Sequence, residues 1–279
     1  MASEGDVVAT EAAPRDLWAG GNRYEAYVGR WSRQAARPFV SSLGVADGGR
    51  WLDVGCGTGA VTSAVLDLCS PTVVVGVDPS PDFLARAAAT ISDPRASFRE
   101  GDALHLPANG SRFDAVVSGL VLNFLADRAG ALTAMAAATR GGGVVAAYVW
   151  DYAEGMQFMR HFWDAAITCD PAAAAHDEGA RFPFTRPGPL RELFSGAGLE
   201  DVVTDPIDVP TVFADFDDYW TPFLGGTGPA PAYAAMLPPQ ALDALRDEVR
   251  AHLPVAPDGS IALTARAWSV RGSVPHRPS

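Results

Sequence analysis

Lysine is missing altogether: the 21 basic residues of this 279-residue chain are all arginine. That excludes Schiff-base chemistry and the lysine of a phosphate-binding loop. Against 33 acidic residues the formal net charge is −12, and no basic stripe is available to neutralise nucleic-acid phosphates. No nucleic-acid partner is expected. Cysteine is scarce: Cys56, Cys69 and Cys169 form no C-x-x-C pair and leave one over if two were bridged, which suits a reducing compartment. The five histidines (His105, His161, His176, His252 and His276) are scattered without metal-ligand spacing, so no metal is expected. Long apolar runs are lacking too. None approaches the ~18–20 residues that span a bilayer, and the first residues carry acids where a secretion signal carries basic groups. The expectation is a cytoplasmic protein with no membrane partner.

What is present is globular in composition, 48% hydrophobic and 19% charged. Short apolar runs read as strands at 50–55 (RWLDVG), 72–78 (TVVVGVD), 96–102 (ASFREGD), 113–120 (FDAVVSGL) and 142–150 (GGVVAAYVW). Helix-like stretches separate them: AVTSAVLDLC, PDFLARAAATI and DRAGALTAMAAATR. This alternation predicts a parallel sheet covered on both faces. PLRELFSGAGL (189–199) adds a helix, and DVVTDPIDV (201–209) and IALTARAWSV (261–270) add two strands about fifty residues apart. The segment between them is rich in aromatics, glycine and proline and ends in a helix, the pattern of a lid or binding element. EAYVGRWSRQAARPFV, ahead of the sheet, predicts a covering helix. The boundaries expected are a flexible N-terminus (1–20), one domain (21–271) with a cover at 21–47 and a lid at 211–255, and a flexible tail (272–279).

The stretch WLDVGCGTGA (51–60) runs from a strand into glycines at 55, 57 and 59 and then a helix, which lets a ligand approach bare backbone. Dinucleotide enzymes use a related loop for pyrophosphate, but Asp53 ahead of the first glycine would repel one. It favours a positively charged ligand, or a water bound to an amino group. Asp78 ends the next strand, where an acid can accept both hydroxyls of a ribose. Asp102 ends the one after, where it or the Ala103 N–H can read an adenine edge. The three strand ends line up on the carboxyl edge of the sheet, where open α/β folds bind ligands.

At these residues the sequence resembles the class I S-adenosylmethionine-dependent methyltransferases, most closely the small-molecule branch related to ubiquinone and menaquinone C-methyltransferases. GRWSR (29–33), LDVGCGTG (52–59), GVDPS (76–80), GDALHLP (101–107) and FDAVVSGLVLNF (113–124) match in order and spacing over roughly residues 20–150. The resemblance implies a Rossmann-like, seven-stranded, mostly parallel sheet with its last strand antiparallel, helices on both faces, an N-terminal cover and a lid before the last strand. It implies S-adenosylmethionine as cofactor, S-adenosylhomocysteine as product and a small-molecule acceptor. Cofactor contacts carry over to Asp53, Gly55, Gly57 and Gly59 for the methionine part, Asp78 with Pro79 for the ribose, Asp102 and Ala103 for the adenine, and Ser118. Tyr24, Arg30 and Trp31 match the family's cover, where the arginine pairs with the cofactor carboxylate.

Methyl transfer from an activated sulfonium needs mainly an acceptor held in line, and a base only where the acceptor must lose a proton. No motif fixes such a base. Acceptor-pocket candidates are Asn123 after the fourth strand, Trp150 and Tyr152 at the end of the fifth, and Trp220 and Phe223 in the lid. Each assignment has a structural alternative. Asp53 can bond only its own turn, and Asp78 can start the Pro79 turn or cap the next helix. Asp102 can cap a loop, Arg30 can form a surface ion pair, and Trp31 and Trp150 can be core. Two other functions compete: a cyclase, lyase or binding protein that keeps this cofactor fold without methylating, and a nicotinamide oxidoreductase, disfavoured by the G-x-G-x-G spacing and Asp53.

Overall fold

A computed structural model of the chain describes residues 29–107, 112–225 and 228–276, without the side chain of Arg30. Helix α1 (Arg30–Ser42) leads into β1 (Arg50–Val54), α2 (Ala60–Leu68), β2 (Val73–Asp78), α3 (Pro81–Thr90) and β3 (Ala96–Glu100). Then come β4 (Phe113–Gly119), a 3-10 turn (Leu122–Phe124), α4 (Arg128–Ala138) and β5 (Thr139–Trp150). The remaining elements are α5 (Gln157–Cys169), a 3-10 turn (Pro171–Ala175), α6 (Glu178–Arg181), α7 (Pro187–Gly196), β6 (Glu200–Phe213), α8 (Phe216–Trp220), another 3-10 turn (Thr221–Gly225), α9 (Pro229–Met236), α10 (Pro239–His252) and β7 (Ile261–Ser273).

The seven strands form one sheet in the order β3-β2-β1-β4-β5-β7-β6. All neighbours pair parallel except β7, which is antiparallel to both β5 and β6. The strand order reverses between β1 and β4, and that switch point places the ends of β1 and β4 beside a crevice. The central strands are buried on both faces, which is why their sequences are almost continuously apolar. In β5, Ala146, Tyr148 and Trp150 enter the core on one face, and Val145, Ala147 and Val149 enter the core on the other. The second core includes Leu132 and Met135 of α4 and Leu190 and Phe194 of α7; the first and larger one includes residues of α1, α2, α5 and the segment after β6.

Local chemistry sets the helix starts. Ser80 and Asp127 cap α3 and α4 by accepting from the amides of Phe83 and Gly130, and Pro81 and Pro187 occupy first-turn positions where no amide hydrogen is needed. Strand β6 lies at the sheet edge, and Pro206 and Pro210 within it cannot donate to a further strand.

Several expected boundaries shift. Strand β5 begins at Thr139 and β6 continues to Phe213. Within the tail expected from 272, β7 runs to Ser273, and Val274 exchanges backbone hydrogen bonds with Gly142 and Gly143. The segment between β6 and β7 is a set of helices fused to the first core, with Tyr219, Phe223, Ala230 and Val249 all fully buried. The Phe223 ring stacks on Phe162 of α5 at 4.5 Å and 8°. Its aromatics fold inward because α5, a buried helix bearing Phe158, Phe162 and Trp163, gives them an apolar surface to cover.

Candidate active site

The turn after β1 is built from left-handed backbone. Gly55, Gly57 and Gly59 have φ of +70°, +53° and +88°, a region open to glycine at little cost. The amides of Gly55 and Cys56 donate to the Val77 carbonyl at 2.7 and 3.0 Å, which ties the turn to the end of β2. A methyl at Gly55 would lie 2.4 Å from Val121 Cγ2, and one at Gly59 would lie 2.5 Å from Ile91 Cδ1. At Gly57 it would meet nothing within 4 Å. The first and third glycines therefore permit close packing, while the second turns bare backbone towards open space.

Asp78 joins this turn to its own. One carboxylate oxygen accepts from the Gly57 amide at 2.9 Å and the other from the Ser80 amide at 2.9 Å. Burial raises its pKa, opposed by those two amides. Each oxygen has a second lone pair, so the carboxylate can still accept ligand hydroxyls. Asp53 lies deeper, 1% exposed. Its Oδ2 accepts from the Thr62 amide (3.0 Å) and hydroxyl (2.7 Å) in the first turn of α2, and its Oδ1 has no partner among the described residues. Desolvation pushes its pKa up to about 7, against the Thr62 bonds and with a smaller upward push from Asp78. The two acids thus flank the glycine turn, and the orphaned Oδ1 suits a cationic or hydrogen-bond-donating ligand. Cys56, in the same turn, is no nucleophile: burial first, then Asp53 and Asp78, push its thiol pKa far up.

Residues 52–147 match the methyltransferase domain family. A demethylmenaquinone methyltransferase from Roseiflexus castenholzii is 30% identical over 164 residues, which cover 55% of this chain and 69% of that protein. The chain belongs to the class I S-adenosylmethionine-dependent methyltransferases. Solved structures share its fold at lower identity. Phosphoethanolamine N-methyltransferase 2 of Haemonchus contortus, crystallised with S-adenosyl-L-methionine, superposes with a TM-score of 0.57 at 17% identity, covering 94% of this chain and 59% of that one. The [4+2]-cyclase SpnF superposes with a TM-score of 0.54 at 19% identity, covering 88% and 82%.

In this methyltransferase the other expected cofactor residues are spread more widely. Pro79 is exposed next to Asp78. Asp102 is on the surface and accepts from the amides of Leu104 and His105 and from the His105 ring; the His105 bond is the main reason its pKa is lowered. Ala103 is buried in the second core. Ser118 is buried, and its hydroxyl donates to the Val54 carbonyl at 2.9 Å, bridging β4 to β1 instead of offering a free donor to a ligand. Trp31 packs edge-on against Phe213 at 5.7 Å, within the first core. Tyr24 and the Arg30 side chain lie outside the described residues.

On the acceptor side, Asn123 and Tyr152 come together, the amide nitrogen 3.4 Å from the phenol oxygen, and the Tyr152 ring lies against Phe182 at 5.3 Å. Trp150 is buried, with its indole N–H unpartnered among the described residues. Trp220 and Phe223, expected to line an acceptor pocket, instead form part of the aromatic core with Phe162. Glu178 of α6 was not singled out in the sequence. It is buried, its Oε2 accepts from the Trp163 indole, and its Oε1 has no partner among the described residues. The only signal for it is an acid pair, Asp177-Glu178, after a run of alanines, a pattern that usually marks a solvated helix start. Among the described residues, no cluster of His, Cys, Asp and Glu could hold a metal, and no helix is long and apolar enough to cross a membrane.

Proposed function

We propose that the protein transfers a methyl group from S-adenosylmethionine to a small organic metabolite. Gly57 carries this reading: its backbone is held by Asp78, faces open space, and lies in the turn that follows β1, the strand bearing the orphaned Asp53 oxygen. Gly55, Gly57 and Gly59 would seat the methionine part, with Asp53 facing its ammonium directly or through water. Asp78 would hold the ribose, with Asp102 and Ala103 at the adenine. S-adenosylmethionine supplies a methyl already activated on a sulfonium. The protein's task is then to orient the acceptor and exclude water, worth on the order of 7–11 kcal/mol in favourable cases. Asn123 and Tyr152, after adjacent parallel strands, are placed to shape the acceptor side within one domain, which includes the buried helices between β6 and β7 as part of its core. A demethylmenaquinone methyltransferase among the relatives supports an organic metabolite as acceptor.

The test is multiple-turnover incubation with S-adenosylmethionine and a panel of small metabolites, read by mass spectrometry. The reading expects S-adenosylhomocysteine and a methylated metabolite in equal amounts. A second reading, a cofactor-retaining protein that does not methylate, has the fold shared with a [4+2]-cyclase in its favour. Conversion of a metabolite with the cofactor intact would establish it in place of the first.

A further inference from the structure

Glu178 is the one buried glutamate among the described residues. It opens α6, which packs directly on the turn after β5: a methyl added at Gly179 would lie 3.0 Å from Ala153 Cα and 3.1 Å from the Tyr152 carbonyl oxygen. That turn carries Tyr152, whose hydroxyl meets the Asn123 amide, so the start of α6 abuts the segment that bears the acceptor-side pair. The charges around it do not balance. Arg160 of α5 gives its Nη2 to Asp177 at 2.7 Å and its Nη1 to the Ala153 carbonyl at 3.3 Å. Two adjacent acids thus share one guanidinium, and the guanidinium is already committed to Asp177. Glu178 keeps Oε2 on the Trp163 indole, while Oε1 and the Arg160 Nε are both unpartnered among the described residues. The indole of Trp163 faces Tyr233 at 5.5 Å, and Tyr233 faces His176 at 5.4 Å, so the remaining surroundings are aromatic. An interior that needed only packing would be better served here by a neutral residue, because an unsatisfied buried carboxyl costs stability.

We propose that Glu178 Oε1 is the hydrogen-bond acceptor for a protic methyl acceptor, a hydroxyl or amine group, bound beside Tyr152. This rests on the methyltransferase function proposed above and narrows it to acceptors with an O–H or N–H. Burial pushes the Glu178 pKa up to about 7; Asp177 adds to the rise, while the Trp163 bond and Arg160 oppose it. Near neutral pH the carboxyl can therefore either accept or release a proton.

The test needs no known acceptor. Protein labelled with carbon-13 at the glutamate side-chain carboxyl carries nine such groups, and the Glu178 signal is the one absent from Glu178→Gln. Its titration midpoint is measured in the S-adenosylhomocysteine and S-adenosylmethionine complexes, which differ by the sulfonium charge. If the carboxyl faces the transfer site, the midpoint falls by about one unit with S-adenosylmethionine, as expected for a unit charge about 10 Å away at an effective dielectric of ~20. Phenol, added to the S-adenosylhomocysteine complex, moves the same signal further than toluene does. An unchanged midpoint overturns the placement, and phenol acting no more strongly than toluene overturns the protic acceptor. If Glu178→Gln does not fold, Glu178→Asp supplies the assignment. Calorimetry showing neither cofactor form bound would instead defeat the proposed function itself.

Discussion

Gly55 and Gly57 stand two residues apart, both in left-handed backbone, yet a methyl added at each meets different surroundings. Gly55→Ala drives a Cβ into Val121 and should destabilise the fold well beyond the cost of left-handed alanine. Gly57→Ala should cost only that strain, about 1–2 kcal/mol, and leave the fold intact while abolishing cofactor binding. Urea denaturation and ligand titration on the two variants check this; Gly57→Ala binding S-adenosylhomocysteine as wild type does would contradict it. The glycine turn and its acids were legible in the sequence because spacing alone fixes them: strand, acid, three alternating glycines, helix. The partner of Asp53 was not, because Thr62 lies within an ordinary apolar helix pattern and only the fold shows its hydroxyl under the carboxylate. Glu178 was invisible for a similar reason, since acidity at a helix start normally signals solvent.

The strands were legible as elements because burial on both faces makes their sequences continuous and apolar; the edge position of β6 came only from the sheet order. The segment between β6 and β7 was readable as an insertion but not as core. Its aromatics, glycines and prolines suggested a lid or binding element, whereas the structure packs Tyr219, Phe223 and Tyr233 against α5. Tyr219 even donates its buried hydroxyl to the Phe158 carbonyl at 2.6 Å. Phe223→Ala should therefore cost about 3–5 kcal/mol, the range for removing a buried phenyl ring. Because the cofactor turn belongs to the parallel half of the sheet, binding of S-adenosylhomocysteine should survive below the lowered melting temperature. Limited proteolysis should cut first between 214 and 254. Cutting first in the β1–β4 half would show that the insertion does not unfold separately.

At the scale of the whole molecule, buried acids give stability an unusual pH dependence. Burial raises the folded pKa values of Asp53 and Glu178 to about 7, from ordinary values of 3.8 and 4.5. The native state then binds more protons than the unfolded chain between about pH 4.5 and 7, and unfolding free energy falls as pH rises through that window. Each shift is worth on the order of a few kcal/mol. His161, held low by burial, works in the opposite sense as pH falls below its ordinary value. Urea denaturation at pH 5 and pH 7.5 should show the cofactor-free protein more stable at pH 5, and Glu178→Gln should shrink the difference. Equal stability at both pH values in wild type, with no change in the variant, would show that neither acid is buried in protonated form.

The expectations about cofactor binding depend on the β1 turn and Asp78, and isothermal titration of S-adenosylmethionine and S-adenosylhomocysteine into wild type and Asp78→Ala tests them most directly. Losing a hydrogen bond to a charged group is typically worth ~1.5–3 kcal/mol. The account predicts that both ligands bind the wild type and that the variant, still folded, binds them roughly tenfold or more weakly. Wild-type protein, stripped of ligand and folded, that binds neither molecule would contradict it.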